Sequence, residues 1–334
     1  MAIKRNAGTR HVGRRHVGRL CLLTLLLGAR AASGQALETV GSRAAGMAGA
    51  FVAVASDSSA VWWNPAALPT GPLADMSIGF GDARKGEPVP GAAGRTTALA
   101  VALPLLGVHV ASYDHVRVAN RRGGDTAVSR VAVRQVGLTL VQSIVSGVHV
   151  GGTLKYLRGA WASDRRFVDG GQAIAAARAL SGSDAEGRWD ADLGVMAVRH
   201  GWRVGLLARQ LMAPSFGQGA EAIRAGRQVR AGVAFDAAEA GGPPLIVAAD
   251  VDLTGPDGPD GLSRAAAVGV ERWLRGGQIG LRTGFRVSTA GDPRPAASAG
   301  ASLMVKSGLF LEVSGTAGSN DAPRSWGATA RISF

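Results

Sequence analysis

The chain has 334 residues, of which 46% are hydrophobic, 18% are charged and 49 are glycine. It has no run of about 18 apolar residues that could form a membrane-spanning helix. The formal net charge of +13 does not indicate a nucleic-acid partner, because seven basic residues lie in 1–34 and the others are scattered. Few charges and much glycine favour a sheet that faces lipid on one side over a compact soluble enzyme.

Residues 1–34 have the layout of a secretory signal peptide. A basic stretch is followed by the apolar run 20–27 (LCLLTLLL) and then by small residues at 31–34. Eight apolar residues are too few to span a bilayer, so we expect cleavage and export. Cys21 is the only cysteine, which leaves the exported chain without a disulfide, a thiol nucleophile or a thiolate metal site.

The stretch from Val40 to Leu68 reads VGSRAAGMAGAFVAVASDSSAVWWNPAAL. It is rich in small residues and ends in two tryptophans and an Asn-Pro step, which stops a helix. Beyond it the sequence changes to alternating segments separated by turn residues. We therefore predict a compact plug at 35–72, with the Asn-Pro step turning the chain into the first strand of a sheet at 73–334.

Period-two alternation indicates strands throughout the second part of the chain. In 278–288, for example, Ile279, Leu281 and Phe285 share one face, while Arg282 and Arg286 share the other. Fourteen strands of roughly nine to thirteen residues result, long enough to cross a membrane at a tilt. They are predicted near 73–81, 95–103, 107–118, 130–142, 147–160, 188–199, 202–212, 226–236, 244–253, 262–274, 277–288, 295–306, 308–318 and 324–334.

Two architectures fit such strands, a soluble β-sandwich and a transmembrane β-barrel. A sandwich buries its apolar face and has no means to hold charges of both signs there without pairing them. A barrel turns the apolar face outward and keeps polar and small residues in the lumen. The charged, Gly- and Ser-rich second face favours an all-β, antiparallel transmembrane barrel.

The longest interruption, 161–187, contains the helix candidate 173–180 (AIAAARAL) and is predicted as a long extracellular loop, as are 213–225 and 119–129. The tight junctions 200–201 and 276–277 are expected on the other rim. The chain ends in a strand with Trp326, Ile332 and the terminal Phe334 on one side.

The stretch 40–68 resembles the N-terminal signature of the FadL-like outer-membrane barrels, nearest to the PorV/PorQ family. The matching residues are Gly41, Arg43, Gly46, Met47, Gly49, Ala50, Phe51, Asp57, Ala60, Trp62, Trp63, Asn64, Pro65, Ala66 and Leu68. Ala48 and Ala67 stand where glycine is usual, and Ser56 stands where an acid is common. The ending, with Trp326, Ile332 and Phe334, is similar to the family's ending and to the signal read by the outer-membrane insertion machinery.

This resemblance implies a fourteen-stranded barrel with the N-terminal segment inside as a hatch. The candidate gate residues are Gly46, Met47, Gly49, Phe51, Asp57, Trp62, Trp63, Asn64 and Pro65. Glycines let a backbone pack closely inside a lumen, and the two tryptophans are expected to wedge against its wall.

A polar network is predicted across the lumen. Its candidates are Arg230, Asp250, Asp252, Arg282, Arg286 and Arg331, with Asp190, Asp192 and Glu312 as further acids that pair with these arginines. A solvated barrel interior and a polar constriction that shapes permeation are both open interpretations. The six histidines show no pair at metal-binding spacing, and no nucleophile motif appears, so neither a metal, a cofactor nor an enzyme is expected.

Two functions remain open. The first is an outer-membrane channel for hydrophobic or amphipathic small molecules, such as long-chain fatty acids, with 40–68 as the gate. The second is a PorV-like barrel that docks secreted proteins through its loops. Both place the chain in the bacterial outer membrane, in contact with lipid, and both follow from the resemblance rather than from a residue.

Overall fold

The computed structural model describes residues 40–85, 91–120, 126–166, 170–182, 184–216, 223–255, 257–258, 261–291, 293–318 and 324–334. The predicted signal peptide at 1–34 lies outside the described residues. Within these ranges, no helix has the length and apolar content needed to cross a membrane.

Fourteen antiparallel strands form one closed barrel, in which each strand pairs with its neighbours in sequence and the last pairs with the first. The strands are β1 (Asp75–Lys85), β2 (Ala92–Ala102), β3 (Leu106–Asn120), β4 (Thr126–Val145), β5 (Val148–Arg166), β6 (Glu186–Arg199), β7 (Trp202–Arg209), β8 (Gln228–Asp236), β9 (Leu245–Thr254), β10 (Ala265–Leu274), β11 (Ile279–Ser288), β12 (Ala296–Lys306), β13 (Leu309–Gly318) and β14 (Arg324–Ser333). Two short ladders, Ser215–Phe216 with Ile223–Arg224 and Asp257–Gly258 with Gly261–Leu262, lie outside the barrel sheet.

The two rims of the barrel differ in their connections. One rim carries mostly tight turns, such as His200-Gly201, where both residues have positive φ (49° and 80°), as a two-residue hairpin turn requires. The other rim carries the longer connections, including those that contain parts of the three predicted loops. We call these the turn end and the long-loop end.

Each of the fourteen predicted strands overlaps an observed one, and the predicted barrel is confirmed. The predicted loops were too long, however. β4 has 20 residues and β5 has 19, so 126–129 and 161–166 are strand, paired from Thr126 with Arg166 onward. On β5 the outward residues there include Ala162 and Asp164, which removes the apolar alternation while the hydrogen-bonded ladder continues.

The faces of the barrel are inverted relative to a soluble protein, as predicted. On β11, Leu281 and Phe285 are each 47% exposed, whereas Arg282 between them is 4% exposed. Val247 and Val251 on β9 point outward in the same way, and Asp250 is buried. Apolar side chains therefore cover the outer surface, and charged side chains are held within.

The residues before the barrel form what we call the inner segment (residues 40–71). It contains α1 (Ser42–Gly46), α2 (Ala60–Trp63) and a 3₁₀ helix (Pro65–Thr70). Asn64 and Pro65 were predicted to turn the chain into the first strand, but the 3₁₀ helix separates them from β1. Asn64 instead caps the 3₁₀ helix, its Oδ1 accepting from the Ala66 amide at 3.2 Å, and proline suits the first helical position.

A third helix, α3 (Gly170–Arg178), lies in the β5–β6 connection, three residues earlier than predicted. Its Ala173 and Ala177 are buried with Val116 and Val128. Both valines occupy outward positions of their strands, so α3 packs on the outer face of the barrel. Arg130 holds it there by donating to the carbonyl of Arg178 at 2.8 Å.

Candidate lumen site

The inner segment crosses the lumen from wall to wall. At its start, a methyl group on Gly46 would lie 3.1 Å from the Cα of Gly300 on β12; near its end, one on Gly151 of β5 would lie 2.6 Å from the amide nitrogen of Ala66. β5 and β12 are seven strands apart in a ring of fourteen, which places them on opposite sides. A segment that contacts both, through the face opposite the exposed apolar residues, lies inside.

Glycines in the wall make this fit possible. Gly151 pairs with Gly194, Gly205 with Gly232, and Gly269 with Gly284 across neighbouring strands. Each pair faces backbone of the inner segment; a methyl group on Gly205, for instance, would lie 2.6 Å from the carbonyl oxygen of Val52. Since backbone cannot move aside as a flexible side chain does, only glycine fits at Gly151, Gly205 and Gly284, where backbone atoms lie nearest.

Glu271, on β10, is the centre of the charged contacts. Arg43 of the inner segment binds it bidentately, with Nη2 at 2.6 Å and Nε at 2.7 Å from its two oxygens. Arg282 donates through Nε at 2.5 Å, and Trp273 donates through its indole nitrogen at 3.1 Å. Glu271 and Arg282 are fully buried. This carboxylate therefore binds the wall and the inner segment at once.

From Arg282 the contacts continue around the wall in a chain. Nη1 of Arg282 donates to Ser302 at 2.6 Å, and Ser302 donates to Glu312 at 3.0 Å. Arg331 then bridges Glu312 and Asp75, at 3.2 and 3.1 Å.

Asp75 closes the circuit by accepting from the backbone amide of Ser58 in the inner segment at 2.8 Å. We call this set the ion-pair ring. Its members are Arg43, Asp57, Glu271, Arg282, Ser302, Glu312, Arg331 and Asp75.

Within the inner segment, Arg43 also binds Asp57 at 3.1 Å. Burial alone would raise the pKa of Asp57, but the positive charges of Arg43 and Arg331 outweigh it. Hydrogen bonds from Ser59 and Arg43 add to their effect, so the pKa of Asp57 lies below its ordinary value. Asp57 is therefore ionised in the folded chain.

A second set of contacts holds the middle of the inner segment. Asp250 accepts from the backbone amides of Phe51 and Val52, both at 2.9 Å. Arg230 forms a bidentate pair with Asp252, at 2.6 and 3.0 Å, and its guanidinium lies 5.8 Å from the ring of Trp63. The prediction that Asp250 pairs with an arginine was wrong, because backbone donors of the inner segment occupy it instead.

Asp190 and Asp192 also differ from the prediction. Lys155, on β5, binds Asp190 at 2.7 Å and Asp192 at 2.6 Å, and the predicted arginines are not their partners. In the observed register Lys155 lies directly opposite Asp190, a relation that strand prediction alone does not fix. Arg286 is half-buried on the lumen face of β11 and joins none of the ring contacts above.

The two tryptophans have separate roles. Trp62 packs on His109 of β3, with ring centroids 4.7 Å apart. Trp63 packs edge-on against Phe51 at 5.8 Å and donates to the carbonyl of Val40 at 2.8 Å, and its ring faces the guanidinium of Arg230 on β8. Trp62 therefore contacts the wall through an aromatic ring, and Trp63 contacts it through a cation.

Asn64 links the inner segment to the barrel wall. Its Nδ2 donates to the carbonyls of Val52 at 3.0 Å and Val195 at 3.1 Å. Met47 is fully buried and faces Gly269 and Gly284, and Gly49 accepts a hydrogen bond from Arg230 at 3.3 Å. The candidate gate residues thus lie together inside the barrel.

Other predicted residues lie outside the lumen. Trp326 and Phe334 are 58% and 78% exposed, and Phe334 exchanges two backbone hydrogen bonds with Ala74. Ile332 is half-buried on β14. Across the described ranges no group of three histidine, cysteine or acidic side chains is placed to hold a metal ion.

No protein-family model and no curated protein sequence matches the chain. Solved structures do match. The "CymD monoaromatic hydrocarbon channel" aligns with a TM-score of 0.65 at 13% identity, over 89% of this chain and 98% of that one. A Pseudomonas aeruginosa FadL homologue aligns at 0.61 and 12%, over 90% and 100%.

The chain has the fold of the FadL-like barrels. The Ralstonia pickettii toluene transporter TbuX aligns as well, at a TM-score of 0.59 and 13% identity, over 86% and 98% of the two chains. At these identities the likeness to FadL-like barrels concerns the fold, and nearness to PorV/PorQ rests on the sequence resemblance alone.

Proposed function

We propose that the chain is an outer-membrane channel for hydrophobic small molecules, with residues 35–72 as a movable plug in a barrel of residues 73–334. The outward apolar surface supports placement in a membrane. Residues 1–34 serve for export, and the last strand with Trp326, Ile332 and Phe334 serves for insertion. The similar structures named for hydrocarbon transport support this choice of solute by analogy of fold.

An apolar patch on the lumen wall carries the proposal. On the long-loop side of the inner segment, inward positions of β3, β4 and β5 hold Tyr113, Val133 and Leu157, all buried. Phe216 joins the same apolar cluster. A pore for polar solutes lines its entrance with polar groups. These side chains are buried in the observed state, and movement of the inner segment would give a hydrophobic solute an apolar surface on which to bind.

Passage then requires the inner segment to move. Its residues at 50–55 are fully buried or nearly so, so the observed state is closed. The ion-pair ring makes movement feasible, because water and neighbouring charges in a lumen can take over the partners of Arg43 as it leaves Glu271.

A reversible disulfide tests the movement. Ser42 and Thr329, in the inner segment and on β14, have their side-chain oxygens 2.9 Å apart, so Ser42→Cys with Thr329→Cys should crosslink plug and wall. We expect uptake of radiolabelled toluene by proteoliposomes to stop on oxidation and to return on reduction. The predicted exported chain has no cysteine of its own.

The matched control joins two wall strands instead. Ser298 and Thr316, on β12 and β13, have side-chain oxygens 2.8 Å apart, and a disulfide between them leaves the inner segment free. Uptake in this control should not depend on reductant. Equal uptake by the oxidised and reduced plug-to-wall variant would reject the moving plug.

Solute class is tested with the same vesicles. Toluene and oleate should enter faster than a sugar of similar size, and Leu157→Gln should reduce uptake of both. Uptake no faster than in protein-free vesicles, together with secreted proteins that co-purify with the barrel, would favour the docking function instead.

A further inference from the structure

The outer face of the barrel changes character sharply between two registered rows of residues. The lower row contains Tyr156, Val136, Val110, Leu99 and Ile78, which face one another across β5 to β1. Each of these side chains is between 40% and 56% exposed. This row belongs to the apolar surface that a membrane would cover.

One outward position closer to the long-loop end, the row becomes polar. On β5 to β2 it contains Arg158, Arg134, Ser112 and Thr97, again in register, whereas Phe80 continues the row on β1. All four polar side chains are exposed. Along β5 to β2 the boundary between hydrocarbon and headgroup therefore falls between these two rows.

Aromatic residues mark the same level. Tyr156 and Trp189, on neighbouring strands, pack at 5.1 Å between ring centroids, and Trp189 is 58% exposed. Tyrosine and tryptophan collect at membrane interfaces because their rings are apolar and their polar ends reach water. Arg158 lies two residues beyond Tyr156 on the same strand.

Nearby charges on this outer face are paired. Asp82 binds Arg84 at 3.3 Å and Arg95 at 3.4 Å, and Asp114 is bound bidentately by Arg130 at 2.9 and 3.2 Å. The carboxylates next to the polar row, Asp82 and Asp114, are therefore already paired with other arginines.

Arg134 and Arg158 differ from their neighbours. Neither forms a hydrogen bond or an ion pair with any residue that the structure describes, although they are direct cross-strand partners. Side chains in this position have Cβ atoms about 5 Å apart, and like charges there repel. A bound anion would remove this repulsion.

We propose that Arg134 and Arg158 form a binding site for the phosphate of a lipid headgroup in the leaflet at the long-loop end. Two guanidinium groups bind the phosphate oxygens, as arginine forks do. The hydroxyl of Ser112 extends the donor row, and the acyl chains lie on Val136 and Val110 below. The site rests on the proposed membrane placement and not on transport or on a moving plug.

A direct binding measurement tests the site. The purified barrel in a neutral detergent is titrated with lipid A, a diphosphorylated glucosamine lipid, and binding is followed by native mass spectrometry. We expect Arg134→Gln with Arg158→Gln to weaken binding about tenfold or more, since each lost fork removes charge-assisted hydrogen bonds. Dephosphorylated lipid A should bind the wild type as weakly as phosphorylated lipid A binds the variant.

The matched control is Arg84→Gln with Arg95→Gln. It removes the same charge from the same rim, but from arginines already paired with Asp82, so lipid A affinity should stay near that of the wild type. Equal loss in both double variants would mean general charge attraction and would overturn the site. Unchanged affinity in the Arg134/Arg158 variant would overturn it as well.

Two further readouts separate the possible causes. Inorganic phosphate at the lipid concentration should not compete; full competition would replace the lipid site by a free-anion site. Heat-modifiable migration on gels checks that each variant is folded, and toluene uptake should be unchanged. In the wild type, uptake without lipid A binding would mean that the lipid site alone fails, and lipid A binding without uptake would mean that the channel proposal alone fails.

Discussion

The two parts of the inner segment are held in the barrel by different sets of contacts. The first part, 40–59, packs on wall glycines through Met47 and Val52, and it is also bound by charged groups, with Arg43 on Glu271 and the amide of Ser58 on Asp75. The second part, 60–71, is held by shape, with Pro65 and Ala66 against Gly151. Charged groups can exchange partners when a segment moves, whereas closely packed backbone cannot. In the proposed channel we therefore expect the first part to move and the second part to stay anchored.

The largest loss of stability is expected at Glu271, the centre of the charged contacts. Glu271→Gln leaves Arg43 and Arg282 buried with less compensating charge, which should cost about 3 kcal/mol of the free energy of unfolding. Urea unfolding followed by tryptophan fluorescence measures it. Glu186→Gln is the control, since Glu186 pairs with Arg188 at the rim and should change stability by less than about 0.5 kcal/mol. An equal loss in the free energy of unfolding for both variants would show that the ion-pair ring stabilises the fold no more than an ion pair at the rim does.

The anchored part is tested with two adjacent glycines of β5. Gly151→Ala places a methyl group 2.6 Å from backbone atoms of Pro65 and Ala66, whereas at Gly152 the nearest atom is a Leu193 methyl at 3.4 Å. Overpacking at Gly151 should cost about 2 kcal/mol, and Gly152→Ala should be nearly neutral. The urea midpoints of both variants measure these costs. A Gly151→Ala midpoint equal to that of Gly152→Ala would contradict the anchoring role of the second part.

A smaller effect is expected at Asp250, which accepts only backbone amides of the inner segment among the contacts described here. Asp250→Asn keeps an acceptor oxygen and should cost about 1 kcal/mol. Asp250→Ala removes it, so its cost should be about twice as large. Single-channel conductance should rise in the same order, because the segment is held less firmly. Identical behaviour of the two variants would mean that these hydrogen bonds do not hold the segment.

The smallest effect is the dependence on pH of the stability that Asp57 contributes. Because the pKa of Asp57 is lowered in the folded chain by Arg43 and Arg331, its contribution is present above the ordinary aspartate pKa of about 4 and is lost as the pH falls further. Wild type and Asp57→Asn should therefore differ by less than about 1 kcal/mol at neutral pH. That difference should shrink below about pH 4, measured as urea midpoints at several pH values.

The barrel strands could be predicted from sequence because the alternation of apolar and polar residues is a property of each strand by itself. Residues such as Leu281 and Arg282 alternate along one strand, and the alternation needs no knowledge of neighbouring strands. Where the outward residues became alanine or charged, as at 161–166, the signal ended before the strand did.

The lumen contacts could be predicted only in part, because they depend on register. Arg282 and Arg331 lie on the inner face, where alternation places them. Arg282 pairs there with Glu271, which has no local signal beyond being an acid on a strand. Lys155 was missed for the same reason. The pairing of Arg43 with Glu271, 228 residues apart, depends on how the chain folds back into its own barrel.

The uneven lengths of the strands have a consequence for the molecule's outline. At about 3.3 Å per residue, the 20 residues of β4 extend about 65 Å, whereas the 8 residues of β7 extend about 26 Å. The barrel wall is therefore taller at β4 and β5 than at β7, which lies only three strands from β4 in the ring.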